Sequence, residues 1–399
     1  MRSADLKSAS AHWVKITQID NPNSLVAAEA EVLIRNTIRL STENVLEIEL
    51  TPSAKLIDPT KPVTVIWNEN DILNTKVVNG TITLRDASYT PAPLRKTPHI
   101  AGSISDLTTT PFAVVIGTIS KDTSMTTMIN TKAQQFIGYW KNWQKYEPRV
   151  FKDAELSRED VKKYSLILIG GAEDNSITRM LGDKIPLNIS ADNIEITGRK
   201  FQAKDAFVQM IYPNPYNPER YISVIGATSS AGMYLYNGNS DLRYDFFIQD
   251  GCIPDNHHGR PMDKLSIASG FFGPDWQIND RFLETGDPEL RKASPVRKVL
   301  PDFTTTVVNI PPLDTATCKK ISGRYEVPGK FTVSVKFDNG KLFVTSPGGS
   351  PIRLYPTSAS EYFNDAADVQ ITFNKNDSGV VDKMIVHQGN QDIEIKKVE

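Results

Sequence analysis

The sequence predicts a multidomain chain. A β-sandwich-like N-terminal domain is followed by an α/β domain with a doubly wound, mostly parallel sheet, and then by a C-terminal antiparallel β-barrel. The first part has short alternating strands without helical periodicity, the middle alternates apolar runs with amphipathic stretches, and the end repeats a strand–turn–strand pattern. We place the domains at 1–95 and 105–283, a proline-rich, charged linker at 284–316, and the barrel at 317–399.

The N-terminal region alternates apolar and polar residues, as strands with one buried face do. Val45–Leu50 and Val63–Trp67 are two such strands, and Pro59–Pro62 separates them. Asn79-Gly80 introduces a last strand, Thr81–Leu84. Short strands at this spacing predict two packed sheets.

The middle region contains two continuous apolar runs, Pro111–Thr118 and Tyr164–Gly171. Such runs are typical of strands that are buried on both faces of a parallel sheet. Between them, apolar residues recur every three or four positions up to Trp140 and Trp143, which predicts an amphipathic helix with both tryptophans packed in the core. Ser157 is the expected N-cap of a further short helix.

Two more elements complete the predicted sheet. Phe207–Tyr212 and Tyr221–Ile225 flank a turn rich in proline and asparagine, which indicates a strand pair. Asp245–Ile248 is the expected last strand.

The C-terminal region has the clearest turn chemistry. Asp338-Asn339-Gly340 separates two alternating strands, Thr332–Phe337 and Lys341–Thr345, and Asn and Gly tolerate the positive φ of a tight hairpin. The pattern recurs in Val369–Phe373 and Val381–His387. We expect the aromatic residues to fill the barrel core, with a cavity for a small apolar ligand as the alternative.

This C-terminal region resembles a known domain. Gly323-Arg324-Tyr325, Asp338–Leu342 and Leu354-Tyr355-Pro356 carry a resemblance to the lipocalin-like β-barrel appended to penicillin-binding-protein-like serine hydrolases. The resemblance implies a module that accompanies a hydrolase, and it implies no chemistry inside the barrel.

The rest of the chain carries a second resemblance. NTIRLSTENVLEIEL (36–50), SLILIGGAEDNS (165–176), YPNPYNPERY (212–221) and GFFGPDW (270–276) follow the order found after the catalytic domain of bacterial prolyl-oligopeptidase-like α/β-hydrolase esterases. This implies a serine-hydrolase catalytic domain as partner, either upstream of Met1 or on a separate chain.

Composition excludes some functions. A formal net charge of −2 provides no basic field for nucleic acid. No apolar run is long enough for a membrane helix, and the first ten residues contain no signal peptide. The resemblance nevertheless predicts a secreted or periplasmic protein, if the chain is part of a longer exported one. Cys252 and Cys318 are expected to be buried thiols, with a disulfide as the alternative. Oligomerisation stays open.

The predicted ligand site lies where strands of an open α/β sheet end. Gly170, Gly171, Asn175 and Ser176 follow one strand, and Thr228 and Ser229 follow another. Backbone N–H groups there are suited to bind a carboxylate, a phosphate or a sugar hydroxyl. The alternative is a tight turn in which Asn175 or Ser176 caps a helix. The spacing matches neither a dinucleotide motif nor a P-loop.

Catalytic candidates are weak. Ser229 and Ser230 lie in a G-x-x-S-S-x-G segment that departs from the G-x-S-x-G of a nucleophile elbow. His257 and His258 form the remaining His-rich cluster, but adjacent histidines on an extended segment point in opposite directions. We therefore expect no metal and no cofactor.

The sequence favours a non-catalytic accessory or binding portion of an esterase- or peptidase-type serine hydrolase, which shapes substrate access or assembly. A stand-alone carbohydrate- or peptide-binding protein is the alternative. A second alternative is a hydrolase with an unrecognised site at Ser229 or Ser230.

Overall fold

The computed structural model describes residues 1–236, 243–252, 265–293, 311–349, 351–363, 369–388 and 391–398. The chain divides into two compact units. One comprises Met1–Asp250 and Asp263–Arg291, and the other comprises Gly251–Met262 and Lys292–Glu399. The first contains both regions predicted as a β domain and an α/β domain, and the second contains the barrel.

Nine strands of the first unit form two sheets around one hydrophobic core. One sheet has the order β1-β4-β5-β7-β8 and the other the order β2-β3-β6-β9. In β7, for example, Val63, Val65 and Trp67 alternate into the core, as the sequence pattern predicts. The strands are β1 (Arg2–Ser3), β2 (Ser10–Ala11), β3 (Val14–Ile19), β4 (Val26–Val32), β5 (Thr37–Glu43), β6 (Val45–Leu50), β7 (Val63–Trp67), β8 (Asp71–Thr75) and β9 (Ile82–Arg85).

A mixed sheet of eight strands follows in the same unit. Its order is β11-β10-β12-β17-β16-β18-β19-β20. The strands are β10 (Phe112–Ile116), β11 (Arg149–Lys152), β12 (Ser165–Ile169), β16 (Phe207–Asn214), β17 (Asn217–Ala227), β18 (Phe246–Gln249), β19 (Ala268–Phe272) and β20 (Ile278–Thr285). A separate three-stranded sheet consists of β13 (Leu187–Ile189), β14 (Asn193–Ile196) and β15 (Arg199–Gln202).

The prediction of a mostly parallel sheet is wrong for half of this mixed sheet. Among the described strands, three neighbouring pairs are parallel and four are antiparallel. The predicted strand pair is confirmed, but the chain reverses between Asn214 and Asn217, and a turn this short joins only antiparallel strands. Two strands, β19 and β20, follow the one expected to be last, and β20 extends to Thr285 inside the predicted linker.

The predicted amphipathic helix and the short helix after Ser157 are both present. Helix α1 (Thr123–Gln144) has the predicted period, but Trp143 is 65% exposed, so the prediction that it packs in the core is wrong. Trp140, one turn earlier, is buried against Phe112. Ser157 caps α2 by accepting from the Asp160 N–H, as predicted. The other helices are α2 (Arg158–Lys163), α3 (Ser176–Leu181), α4 (Ser230–Leu235) and α5 (Pro288–Ala293), with 3₁₀ helices at Ile104–Thr109, Asp153–Glu155 and Gly182–Lys184.

The second unit contains a closed eight-stranded antiparallel barrel, preceded by α6 (Thr315–Ile321). Asn339 and Gly340 both have positive φ in the first hairpin turn, as predicted. Phe373 contacts both Tyr325 and Tyr362 in the barrel core. The strands are β21 (Gly323–Val327), β22 (Phe331–Asp338), β23 (Lys341–Thr345), β24 (Ile352–Pro356), β25 (Glu361–Phe363), β26 (Val369–Lys375), β27 (Val381–Gln388) and β28 (Gln391–Lys397).

Both cysteines of the chain are buried, and no disulfide joins them. Burial raises the pKa of the Cys318 thiol, which disfavours the reactive thiolate. Cys318 is therefore a packing residue of the barrel core.

Candidate functional site: a buried ion pair beside a cavity

The predicted strand-end residues form a helix cap. Asn175 accepts hydrogen bonds from the N–H groups of Ile177 (3.0 Å) and Thr178 (3.2 Å). Its amide group donates to the carbonyl oxygens of Val115 and Ile169, both at 3.2 Å. The Ser176 N–H donates to Asp153 at 2.6 Å. The polar groups of Asn175 are therefore engaged within the fold.

Ile189 of β13 occupies the crevice above these strand ends. A Cβ added at Gly226 would lie 2.4 Å from the Cδ1 atom of Ile189, and one added at Gly171 would lie 3.4 Å from the same atom. Gly226 therefore allows this side chain to approach the strand closely. Ile189 covers Gly171 as well, and Gly170 packs against Asp174, Asn175 and Ile129, which leaves little room for a ligand at the predicted place.

The second predicted segment also caps a helix. Ser229 Oγ donates to Asp205 Oδ1 at 2.7 Å and accepts from the Gly232 N–H at 3.0 Å, as the N-cap of α4. The Thr228 hydroxyl accepts from the Ala206 N–H and donates to the Ala206 carbonyl. Ser230 is the first residue of α4. His257 and His258 lie outside the described residues, so a pairing of serine and histidine stays a prediction.

A different place in the first unit combines a cavity with buried charge. The cavity has a volume of about 310 Å³, and both Lys96 and Asp245 line it. Lys96 Nζ donates to Asp245 Oδ2 at 2.6 Å, with the two side chains only 7% and 1% exposed. A buried charge requires such a counter-charge, because leaving water costs several kcal/mol per ion.

The backbone fixes both partners of this ion pair. The Asp245 N–H donates to the Gly270 carbonyl (3.0 Å), and its carbonyl accepts from Ile211 (2.8 Å), which holds it in the sheet just before β18. Asp245 Oδ2 also accepts from the Phe272 N–H at 2.9 Å. The Lys96 N–H donates to the Pro274 carbonyl at 2.8 Å.

The other carboxylate oxygen of Asp245 has no hydrogen-bond donor among the described residues. Gly102 lies directly against it, since a Cβ there would be 2.0 Å from Oδ1. Gly102 also has a φ of +81°, a conformation that favours glycine. Burial raises the pKa of Asp245, although the charge of Lys96 and hydrogen bonds from Lys96 and the Phe272 N–H act in the opposite direction.

A second buried carboxylate supports the same segment. The Tyr221 hydroxyl donates to Asp106 Oδ2 at 2.5 Å and accepts from the Gly102 N–H at 3.1 Å. Asp106 also pairs with Lys7. Burial, and then the charge of Asp106, raise the pKa of Tyr221. Tyr221 therefore stays protonated and holds the backbone of Gly102 in place.

The remaining cavity lining contains both polar and aromatic residues. Ser103 and Ser105 share a hydrogen bond of 2.8 Å. Asp20, also in the lining, binds Arg281 through two hydrogen bonds of 2.8 and 2.7 Å. Phe271 provides an aromatic wall and packs against Tyr244. This lining is suited to hold a small polar molecule.

The barrel carries a row of hydroxyl, imidazole and carboxylate that the sequence analysis missed. Thr372 Oγ1 lies 2.9 Å from His387 Nε2, and His387 Nδ1 lies 2.7 Å from Asp392 Oδ1. The inward residues on these strands, such as Phe373 and Met384, alternate with them, so the row lies on the outer barrel face. Only the pairing of β26, β27 and β28 brings these three residues together.

No group of three or more metal-ligating side chains occurs in the part of the chain that the structure describes. None of the described helices combines the length and the apolar character needed to span a membrane.

Sequence reasoning missed the ion pair because its partners are 149 residues apart. The one available indication was an aspartate directly before the apolar residues Phe246–Ile248. Comparison with known proteins gives no further identification. No protein-family model matches the chain, and no curated protein sequence matches it significantly.

Proposed function

We propose that this chain is a non-catalytic binding portion associated with an esterase- or peptidase-type serine hydrolase, and that it holds a small polar ligand in the cavity beside Lys96 and Asp245. The observation that carries the binding role is the buried ion pair in the cavity lining, one of whose carboxylate oxygens has no donor among the described residues. The hydrolase association, the lipocalin-like character of the barrel, the doubly wound character of the α/β region and the exported location rest on the two resemblances.

The energetics of buried charge support a functional role for the pair. Apolar residues of similar volume often stabilise a fold as well as a buried ion pair does. A carboxyl group with a raised pKa and a specific charge partner beside a cavity is a common feature of functional sites. The hydrogen bonds of Ser229 support the non-catalytic part of the proposal. Its hydroxyl donates to Asp205 and accepts from the Gly232 N–H, as expected of a helix cap.

Ligand screening by differential scanning calorimetry tests the binding role. We expect some members of a panel of saccharides, short peptides and esters to raise the midpoint of the unfolding transition, since a ligand that binds only the folded state stabilises it. Ala4, an exposed residue of the cavity lining, allows a blocking variant, Ala4→Trp. Ala54→Trp is the matched control, at an exposed loop position that is not among the lining residues.

The two variants show whether the ligand binds in the cavity. Ligand-induced shifts should disappear in Ala4→Trp and persist in Ala54→Trp. A flat response of the wild-type chain to the whole panel, or equal shifts in both variants, would contradict the proposal.

A second candidate function, hydrolysis, has one observation in its favour. Thr372, His387 and Asp392 have the order and spacing of a nucleophile, its base and an orienting carboxylate. Their place on an outer strand face, with the Asp392 side chain 71% exposed, disfavours it. Labelling with a fluorophosphonate probe separates the two functions. We expect no labelling, whereas stoichiometric labelling that Thr372→Val abolishes would establish the hydrolase.

A further inference from the structure

We propose, resting on the binding role proposed above, that the ligand of the cavity is a neutral carbohydrate of about one sugar ring whose hydroxyl groups bind Lys96 and Asp245. Four properties of the cavity lead to this class: its size, its charge balance, its free hydrogen-bonding capacity and its aromatic wall.

The size favours a small ligand. A volume of about 310 Å³ lies at the lower end of the range for pockets that enclose small molecules. A single sugar ring or a molecule of similar size fits this space, whereas a folded partner segment does not.

The charge balance favours a neutral ligand. Asp245 is paired with Lys96, and Asp20 is paired with Arg281. The two other charged residues of the lining, Asp5 and Arg243, carry opposite charges and add no net charge to it. Asp106, behind the lining, is paired with Lys7. A charged group that entered the cavity would find these counter-charges already engaged, and burying a charge without a partner is costly.

The hydrogen-bonding capacity favours hydroxyl groups. An ammonium group has three donors, and within the described residues Lys96 Nζ uses one, towards Asp245. Asp245 Oδ1 accepts no hydrogen bond there. A hydroxyl group donates and accepts at once, so neighbouring hydroxyls of one ligand can satisfy both residues. A protonated amine lacks the acceptor and a carboxylate lacks the donor.

Gly102 separates the enclosed oxygen from the cavity. This residue covers Oδ1 and lines the cavity, and it has no side chain, so only a main-chain segment held by one hydrogen bond to Tyr221 stands between a ligand hydroxyl and Oδ1. The apolar face of a sugar ring can pack against Phe271 in the lining.

Isothermal titration of the whole chain tests this inference. The probes are glucose, xylose and galactose as neutral saccharides of one ring, glucuronate as a charged sugar, and diglycine as a zwitterion. We expect saturable binding of at least one neutral saccharide, with affinity at least tenfold higher than that of glucuronate and diglycine. Ala4→Trp should weaken this binding at least tenfold, and Ala54→Trp should leave it unchanged.

The outcomes separate this inference from the proposed function. If diglycine or glucuronate binds in the cavity and the neutral saccharides do not, the ligand class is wrong and the binding role stands. If saccharide binding is equal in Ala4→Trp and Ala54→Trp, the assigned site is wrong. If no saccharide binds, the inference is refuted, and the calorimetric panel then decides the binding role independently.

Discussion

Replacing Lys96 with methionine leaves the Asp245 carboxylate buried without its counter-charge. Methionine keeps a long apolar side chain between the same neighbours, so the main change is the loss of the ammonium group. Asp245→Asn removes the other charge and leaves Lys96 buried. The double variant contains neither charge, and its two side chains differ little in size from the originals.

Breaking a buried pair from one side costs roughly 3–5 kcal/mol, whereas removing both charges together is often nearly neutral. Lys96 and Asp245 are 7% and 1% exposed, so this buried case applies. For a unit of this size, roughly 2–4 °C per kcal/mol predicts a fall in Tm of roughly 6–20 °C for each single variant. The double variant should lie closer to wild type than either single one, which gives a favourable coupling energy.

Urea unfolding followed by tryptophan fluorescence measures the free energy of unfolding of the first unit alone, and heating followed by the same signal measures its Tm. All five tryptophans lie in that unit: Trp13, Trp67, Trp140, Trp143 and Trp276. Arg281→Met is the control, because it breaks an exposed ion pair with Asp20 and should leave the midpoint nearly unchanged. The reasoning is refuted if Lys96→Met costs less than about 1 kcal/mol, or if the two single effects simply add in the double variant.

Three further predictions concern single residues. Gly102→Ala should destabilise the chain by more than about 2 kcal/mol, measured by urea unfolding, because the methyl group meets Asp245 Oδ1 at a positive φ. Glu47→Gln should lower the free energy of unfolding at pH 7, measured by urea unfolding. The difference in this free energy between the variant and the wild type should become smaller as the pH falls from about 5 to about 3. Burial raises the pKa of Glu47, but hydrogen bonds, chiefly from Arg85, lower it overall, so the stability it contributes above its unfolded-state pKa is lost in acid. Asn175→Ala should cost roughly 2–4 kcal/mol in the same unfolding assay, because the carbonyls of Val115 and Ile169 each lose one hydrogen bond along with the helix cap; a loss below about 0.5 kcal/mol would contradict this.

Local chemistry made much of the fold predictable. Asn339-Gly340 predicted the first barrel hairpin because both residues tolerate positive φ, which both adopt. Ser157 predicted the start of α2, since its hydroxyl accepts an otherwise unpaired N–H of the first turn. Each prediction needed only residues within a few positions of one another.

Long-range packing was not predictable in the same way. Periodicity placed Trp143 on the apolar side of α1. How far along the helix the contact with the core extends depends on the packing of the sheet, which the local sequence does not encode. The carboxyl ends of β12 and β17 suggested an open crevice, yet Ile189 from a separate small sheet occupies it. The contact of Lys96 with Asp245 likewise depends on the pairing of distant segments, which no local pattern encodes.

Amide chemical shifts of Gly102 and Phe272, recorded by NMR while the strongest-binding saccharide is added, test most directly whether the cavity beside Lys96 and Asp245 binds a ligand. Gly102 lines the cavity and lies against Asp245 Oδ1, and the Phe272 N–H donates to Asp245 Oδ2. We expect both signals to move along the calorimetric binding curve while those of Val333 and Val335 in the barrel stay fixed. Fixed signals at Gly102 and Phe272 in the presence of a bound saccharide would contradict this expectation.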